Sequence, residues 1–147
     1  MAIQLRKISH DNLFESIGLS TSDDQKHFVA TNVVSIAQAY VEPTWMPLAI
    51  YADDTMVGFV MYGHEPKTGF DRIIRLMIDL RYQGRGYGRA TMIELLARLK
   101  QAPDFKDIKI SYEPENHTAE RLYTQLGFRP TGEIEAGEVI AQLQTEQ

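Results

Sequence analysis

The segment from Ile73 to Arg89, IIRLMIDLRYQGRGYGR, constrains this chain more than any other. Its apolar part reads as a strand, the glycines at 84, 86 and 88 as a turn, and the residues after them as the start of a helix. Glycine lets main-chain N–H groups meet a ligand with no Cβ in the way. A helix N-terminus adds unpaired donors and the positive end of its dipole. A strand that delivers such a loop to a helix suits a pyrophosphate. Spacing excludes the two commonest nucleotide loops. A G-x-G-x-x-G fingerprint starting at Gly84 requires glycine at 89, where Arg89 stands, and the Gly-Lys-Ser/Thr of a P-loop occurs nowhere. What remains is Gln83-x-x-Gly86-x-Gly88.

A second segment, Asn116 to Phe128, reads NHTAERLYTQLGF. Asn116 suits an N-cap. Ala119, Leu122, Tyr123 and Leu126 fall on one helical face, and Gly127 ends the helix. Elsewhere, Ala2 to Ile8 alternates as a strand and a short helix spans Asp11 to Ile17. Ser22-Asp23-Asp24-Gln25 reads as a capping box that opens a second helix running to about Val41. The prolines within Glu42 to Pro47 break that helix. Leu48 to Ala52 and Met56 to Gly63 form a hairpin about Asp53-Asp54, and a long strand follows from about Asp71 to Leu80. The helix after the glycine loop buries Met92, Leu95, Leu96 and Leu99 and stops at Pro103. Ile108, Ile110 and Tyr112 mark a strand with one buried face. Phe128 to Glu135 and Glu138 to Leu143 close the chain as a hairpin about Ala136-Gly137. The order β-α-α-β-β-β-α-β-α-β-β predicts an α/β (α+β) domain over 1–147 with a mixed, mostly antiparallel sheet. The crossover through the glycine-loop helix makes its two flanking strands parallel.

Composition narrows the class. The chain has 147 residues, a formal net charge of −5 and no cysteine. The absence of cysteine excludes disulfides and thiolate chemistry. The acidic balance argues against a nucleic-acid partner. No apolar run reaches the ~20 residues that span a membrane, and the N-terminus lacks a signal-peptide core, so a cytoplasmic protein is expected. His10, His27, His64 and His117 show no paired spacing, so no metal site is expected.

The two motifs together resemble those of the GNAT N-acetyltransferases, Q/R-x-x-G-x-G/A followed by N-x-x-A-x-x-L-Y-x-x-L-G-F. Further pieces resemble the bacterial spermine/spermidine type: Trp45-x-Pro47-Leu48-Ala49-Ile50-Tyr51, Val57-Gly58-Phe59-Val60-Met61-Tyr62-Gly63, Met77-Ile78-Asp79-x-x-Tyr82-Gln83-Gly84 and Thr131-Gly132-Glu133-x-x-x-Gly137-Glu138. The resemblance implies the GNAT fold, with helices on both faces of the sheet and a central strand pair that splays to admit acetyl-CoA. It further implies transfer of the acetyl group to a primary amine, a polyamine such as spermine or spermidine above others, by direct attack in a ternary complex. Acceptors of another kind (a different small amine, an amino acid, a protein amine) and a non-catalytic CoA-binding module are the alternatives.

By the same resemblance, Gln83, Gly84, Arg85, Gly86, Tyr87, Gly88 and Arg89 hold the pyrophosphate of acetyl-CoA. Arg85 and Arg89 either bind its phosphates or are solvated. Leu76, Met77 and Ile78 offer main-chain groups to the pantetheine arm, and Ile78 polarises the thioester carbonyl. Tyr123 gives a proton to the leaving thiolate, whether or not its ring is also part of the core. Asn116 caps its helix and touches the cofactor. Chemistry requires that an amine with a pKa of about 10 lose its proton before attack. Polyamine acetyltransferases of the family carry an acid where this chain has Ile74. The base is therefore Glu113, Asp71, Asp79 or a chain of waters. A polycation needs carboxylates and aromatic faces, for which Asp24, Tyr40, Glu42, Trp45 and Glu113 are candidates, with Asp23, Glu133, Glu135 and Glu138 as further acids. Relatives of this type often pair, so a homodimer is expected.

Overall fold

The computed structural model describes residues 2–21 and 31–143. They form β1 (Ile3–Lys7), α1 (Leu13–Ile17), α2 (Asn32–Val41), β2 (Trp45–Ala52), β3 (Thr55–Glu65), β4 (Phe70–Ile78), one turn of 3-10 helix (Leu80–Tyr82), α3 (Tyr87–Lys100), β5 (Asp107–Tyr112), α4 (His117–Gln125), β6 (Phe128–Glu135) and β7 (Glu138–Leu143). The strands make one sheet in the order β1-β2-β3-β4-β5-β7-β6, antiparallel throughout except for the β4–β5 pair.

Alternation sorts each strand onto two faces. On one face Leu48, Ile50, Val60, Ile73, Ile108 and Ile110 pack against Met92, Leu95, Leu96 and Leu99 of α3 and against Tyr123 of α4. On the other, Ala49, Tyr51, Phe59, Met61 and Met77 pack against Leu19 and against Ile36 and Ala39 of α2. Burying each Leu- or Ile-sized side chain stabilises the fold by about 1.5–3 kcal/mol. Helices therefore cover both faces, and the sheet between them carries two cores.

Several boundaries differ from the sequence reading. Trp45–Pro47 is strand rather than helix breaker. The ladder between β1 and β2 ends at Lys7↔Leu48, so Pro47 lies where no β1 neighbour needs its missing N–H. The second helix does not run through from residue 22. Thr31 is extended (φ −64°, ψ 155°) and its side chain accepts from Val34 N, which starts α2 at Asn32. The Ser22–Gln25 capping box and Asp24 lie outside the described residues. β4 ends at Ile78, not Leu80, because the Asp79 carboxylate accepts from the main chain of Arg81 and Ser20 and turns the chain into the 3-10 helix.

Two irregularities shape the centre. Ile74 is an extra residue on β4, since Arg75 pairs with Met61 and Ile73 with Tyr62. This bulge sends Ile74 and Arg75 to the same face and bends the strand. The parallel ladder of β4 with β5 runs from Phe70↔Asp107 to Ile73↔Ile110 and stops there, although both strands continue. Beyond it the two strands part.

At the far end of that pair, His64 bridges two carboxylates. Its Nδ1 lies 3.0 Å from Asp71 Oδ1 and its Nε2 lies 2.8 Å from Asp104 Oδ2. Carboxylates beside both ring nitrogens favour the imidazolium over the neutral ring. The Asp71 hydrogen bond raises the His64 pKa above 6.5 against a smaller effect of burial, and both carboxylate charges add to the rise. Burial raises the Asp71 pKa as well, against the opposing hydrogen bond from His64. A raised histidine pKa gives stability that is full below about pH 6.5 and is lost as pH climbs through the folded value. We therefore expect the melting temperature of the native chain to fall across that range relative to His64→Gln, measured from pH 5.5 to 8.5. Parallel profiles for the two proteins would show that His64 is not charged in the bridge.

Candidate active site

The glycine loop folds as its composition requires. Gly84 and Gly86 have φ of 79° and 82°, a region that side chains with a Cβ seldom adopt. A Cβ at either position would meet no protein atom within 4 Å, so the space in front of the loop is open. Gly86 is the N-cap of α3 and has no side chain to satisfy the first turn, and the first helical bond runs from Ala90 N to Gly86 O. The N–H groups of Tyr87, Gly88 and Arg89 thus have no intrahelical acceptor. They stand at the edge of a cavity of about 250 Å³ whose wall includes Gln83, Gly84, Gly86, Tyr87 and Gly88. Arg85 and Arg89 are exposed beside it, and no described carboxylate lies within ion-pair distance of either. Unpaired main-chain donors with two exposed guanidiniums beside them make an arrangement suited to an anion. Gln83 also braces the loop, donating from Nε2 to Ile78 O at 3.0 Å.

The same cavity runs along the parted edge of β4. Asp79 N donates to Val57 O at 2.8 Å, and the Met77 carbonyl lies against Gly58, so both residues turn their main chain toward β3. Alternation then points the N–H groups of Leu76 and Ile78 into the cleft, beyond the reach of the β5 ladder. Met77 lines the cavity, but the donors there come from Leu76 and Ile78.

A second cavity, of about 460 Å³, adjoins the first. Leu76, Asn116, Ala119 and Tyr123 border both, and the second is completed by residues that include Arg75, Ser111, Glu113 and Glu138. Tyr123 is 8% exposed, its ring centroid 5.8 Å from that of Tyr112 and 6.1 Å from that of Phe128. Burial, and then the negative charge of Glu138, raise its pKa well above 10, so the phenol keeps its proton at neutral pH. Asn116 Oδ1 accepts from Ala119 N at 3.3 Å, which makes it the cap of α4 as well as a wall residue. Arg75 reaches α2, donating to Gln38 Oε1 at 3.1 Å, while its buried Nε has no partner among the described residues. Burial lowers the Arg75 pKa, and the charge of Glu138 opposes this.

The structure brings the expected cofactor residues other than Arg85 and Arg89 into the wall of the first cavity, and Glu113 into the wall of the second, with Tyr123 in both. It does not do so for the expected acceptor wall. Tyr40 is 90% exposed and Glu42 is exposed at the end of α2, and Trp45 packs over Gly63; none of the three lines either cavity. Asp24 lies outside the described residues. Two of the suggested bases are engaged elsewhere, Asp71 by His64 and Asp79 by Ser20 N and Arg81. The sequence reading missed Arg75 and Gln38. The bulge at Ile74 puts Arg75 in the wall of the second cavity, and no local pattern marks that bulge.

Residues 9–128 match the Acetyltransferase (GNAT) family. The chain is 30% identical over 141 residues to the spermine/spermidine N(1)-acetyltransferase of Bacillus subtilis (strain 168), an alignment that covers 92% of this chain and 93% of that protein. Among solved structures, the spermidine N-acetyltransferase from Vibrio cholerae in complex with CoA and spermine superposes with a TM-score of 0.75 at 14% identity, over 95% of this chain and 92% of the other. The PaiA N-acetyltransferase from Thermoplasma acidophilum in complex with coenzyme A gives a TM-score of 0.74 at 15% identity, over 99% and 100%. With a parted β4–β5 pair, unpaired main-chain donors at the start of α3 and a match that runs through most of its length, the chain belongs to the acetyltransferase (GNAT) family.

Proposed function

We propose that the chain transfers the acetyl group of acetyl-CoA to a primary amine, with a polyamine as the acceptor, by direct attack in a ternary complex. One observation carries the reading: two cavities, one edged by unpaired main-chain donors and the other by carboxylates, meet at a protonated tyrosine. In this reading the loop and the first turn of α3 take the pyrophosphate, Leu76 N and Ile78 N take the pantetheine and the thioester oxygen, and Arg85 and Arg89 neutralise phosphate charge. The thioester supplies an acyl carbon that an uncharged amine can attack. Fixed donors stabilise the oxyanion, and Tyr123 stands where a leaving thiolate needs a proton. The curated relative in Bacillus subtilis supports a polyamine acceptor, as do Glu113 and Glu138 in the second cavity.

A second acceptor class is favoured by Arg75. A guanidinium in the wall of that cavity suits an acceptor with a carboxylate, such as an amino acid or a peptide. We place the protein in the cytoplasm. We also propose that it acts as a homodimer, with β6, the outer strand of the sheet, as the available edge.

Thiol release from acetyl-CoA, assayed against spermine, spermidine, amino acids and peptides, tests the reading. We expect polyamines to give the highest kcat/KM. Faster turnover of amino acids would favour the Arg75 reading, and no release with any amine would refute both. Acetyl-CoA at about 100 times its Kd should add about 2.7 kcal/mol of stability, and ATP or NAD should add none.

A further inference from the structure

We propose that Glu138, the first residue of β7, is the carboxylate that receives the acceptor ammonium in the second cavity and removes its proton. This rests on the acetyltransferase reading above and assigns the proton acceptor that the reading leaves open. Among the described residues, the acids that line this cavity are Glu113 and Glu138. The other nearby acids are engaged: Asp71 with His64, Asp79 with Arg81, and Glu135, the register partner of Glu138 across the hairpin, with Arg72 at 3.4 Å.

Three features separate Glu138 from Glu113. The hairpin turn at Ala136 and Gly137, with φ of 51° and 81°, fixes the register so that Glu138 opens β7. β7 is itself held between β5 and β6, so this carboxylate stands on a doubly supported strand, whereas Glu113 lies in the turn after β5. Strand alternation then decides its face. Val139 pairs with Tyr112 and Ala141 with Ile110, and these belong to the core that packs on α3 and α4. Glu138 points the opposite way, to the face on which the Ile74 bulge places Arg75. Finally, its charge acts on two other walls of the same cavity, raising the pKa of Tyr123 from α4 and opposing the fall in that of Arg75 from β4. No ion pair among the described residues engages Glu138, so its carboxylate remains available to a ligand.

The chemistry balances with these groups. The proton of R–NH3⁺ passes to the Glu138 carboxylate. The freed nitrogen lone pair attacks the acetyl carbon, the C–N bond forms, and Ile78 N–H holds the carbonyl oxygen. The C–S bond then breaks, the thiolate takes the Tyr123 proton, and the phenolate regains one from the nitrogen of the new amide. Glu138 releases its proton to solvent, so one proton leaves for each amide made.

The titratable and charged groups that face Glu138 are Arg75 from β4, Glu113 from the turn after β5, Tyr123 from α4 and its cross-strand partner Glu135 from β6, which Arg72 of β4 engages, and a pH profile can separate it from them. In Glu138→Gln we expect kcat/KM for the best amine at pH 7 to fall at least about a hundredfold. The deficit should shrink as the pH approaches the pKa of the amine, about 10, where free base no longer needs an acceptor. Melting temperature and the stabilisation by acetyl-CoA should match the native chain, and Glu113→Gln should lose less. An unchanged rate, a loss equal at every pH, or a larger loss in Glu113→Gln would overturn the assignment and leave the acetyltransferase reading standing. Absence of amine-dependent thiol release by the native chain would overturn both.

Discussion

Tyr123→Phe is expected to lower kcat by about two orders of magnitude while the Kd for acetyl-CoA and the melting temperature stay near those of the native chain. The substitution removes one oxygen and keeps the ring. The contacts of that ring with Tyr112 and Phe128 make up its packing, and phenylalanine preserves both. What disappears is the hydroxyl at the junction of the two cavities, on a residue that walls both. Its pKa lies above 10, raised first by burial and then by Glu138, so it is protonated throughout the physiological range and serves as a donor rather than a base. Loss of that donor makes thiolate departure harder, so the defect should be greatest with a poor leaving group and smaller with an activated acetyl thioester whose thiol is more acidic. Steady-state kinetics on acetyl-CoA and on such a thioester, with binding measured by calorimetry, distinguish the cases. A variant with native kcat would reduce Tyr123 to a packing residue. A variant that unfolds early would place the hydroxyl in the stability of the fold and not in its chemistry.

The lining of the first cavity was legible in the sequence because its signals are local. Gly84, Gly86 and Gly88 announce main-chain donors, Asn116 announces a cap, and helical spacing puts Tyr123 on a buried face. Each of these is decided by residues within a few positions of one another. Of the second cavity's lining, Glu113 and Glu138 stood among the candidate acids and Arg75 did not, and what selects them is not local. Arg75 faces the cavity because β4 has one residue more than β3 across the pair, which is a property of register between strands. Glu138 enters because β7 inserts between β5 and β6, which is a property of strand order. Tyr40, Glu42 and Trp45 had suitable chemistry but lie away from the cleft, since Trp45 opens β2 against Gly63 and α2 presents Gln38 to Arg75. Composition names the groups with chemistry suited to an amine, and sheet topology decides which of them line the cavity.

Gly58→Ala tests whether the position of β4, and not only its side chains, sets activity. Gly58 pairs with Ile78 across the β3–β4 register and follows Val57, whose carbonyl accepts from Asp79 N. A methyl group there would overlap the Met77 carbonyl oxygen and lie 2.9 Å from Ile78 Cδ1 and 3.2 Å from Ile50 Cδ1. The first of these is main chain and cannot rotate aside, so relief requires β3 and β4 to separate. β4 has no β5 ladder beyond Ile73 to hold it, so it yields toward the parted edge and carries the Ile78 N–H into the first cavity. Overpacking of this kind costs about 1–3 kcal/mol, a fall of about 2–4 °C in melting temperature for each kcal/mol in a domain of this size. The loss of kcat/KM should exceed what that instability explains, because an oxyanion donor displaced from its place is worth about 2.7–4 kcal/mol in the barrier. Gly88→Ala provides the contrast. Its Cβ would sit 3.8 Å from Leu122 Cδ2 and 3.9 Å from Ile78 Cγ1, ordinary van der Waals contact, so it should fold as the native chain does. Thermal unfolding of both variants, with kcat/KM measured well below the melting temperature, decides the matter. If Gly58→Ala loses stability but keeps native turnover, the strand tolerates displacement and Ile78 N–H does not hold the oxyanion.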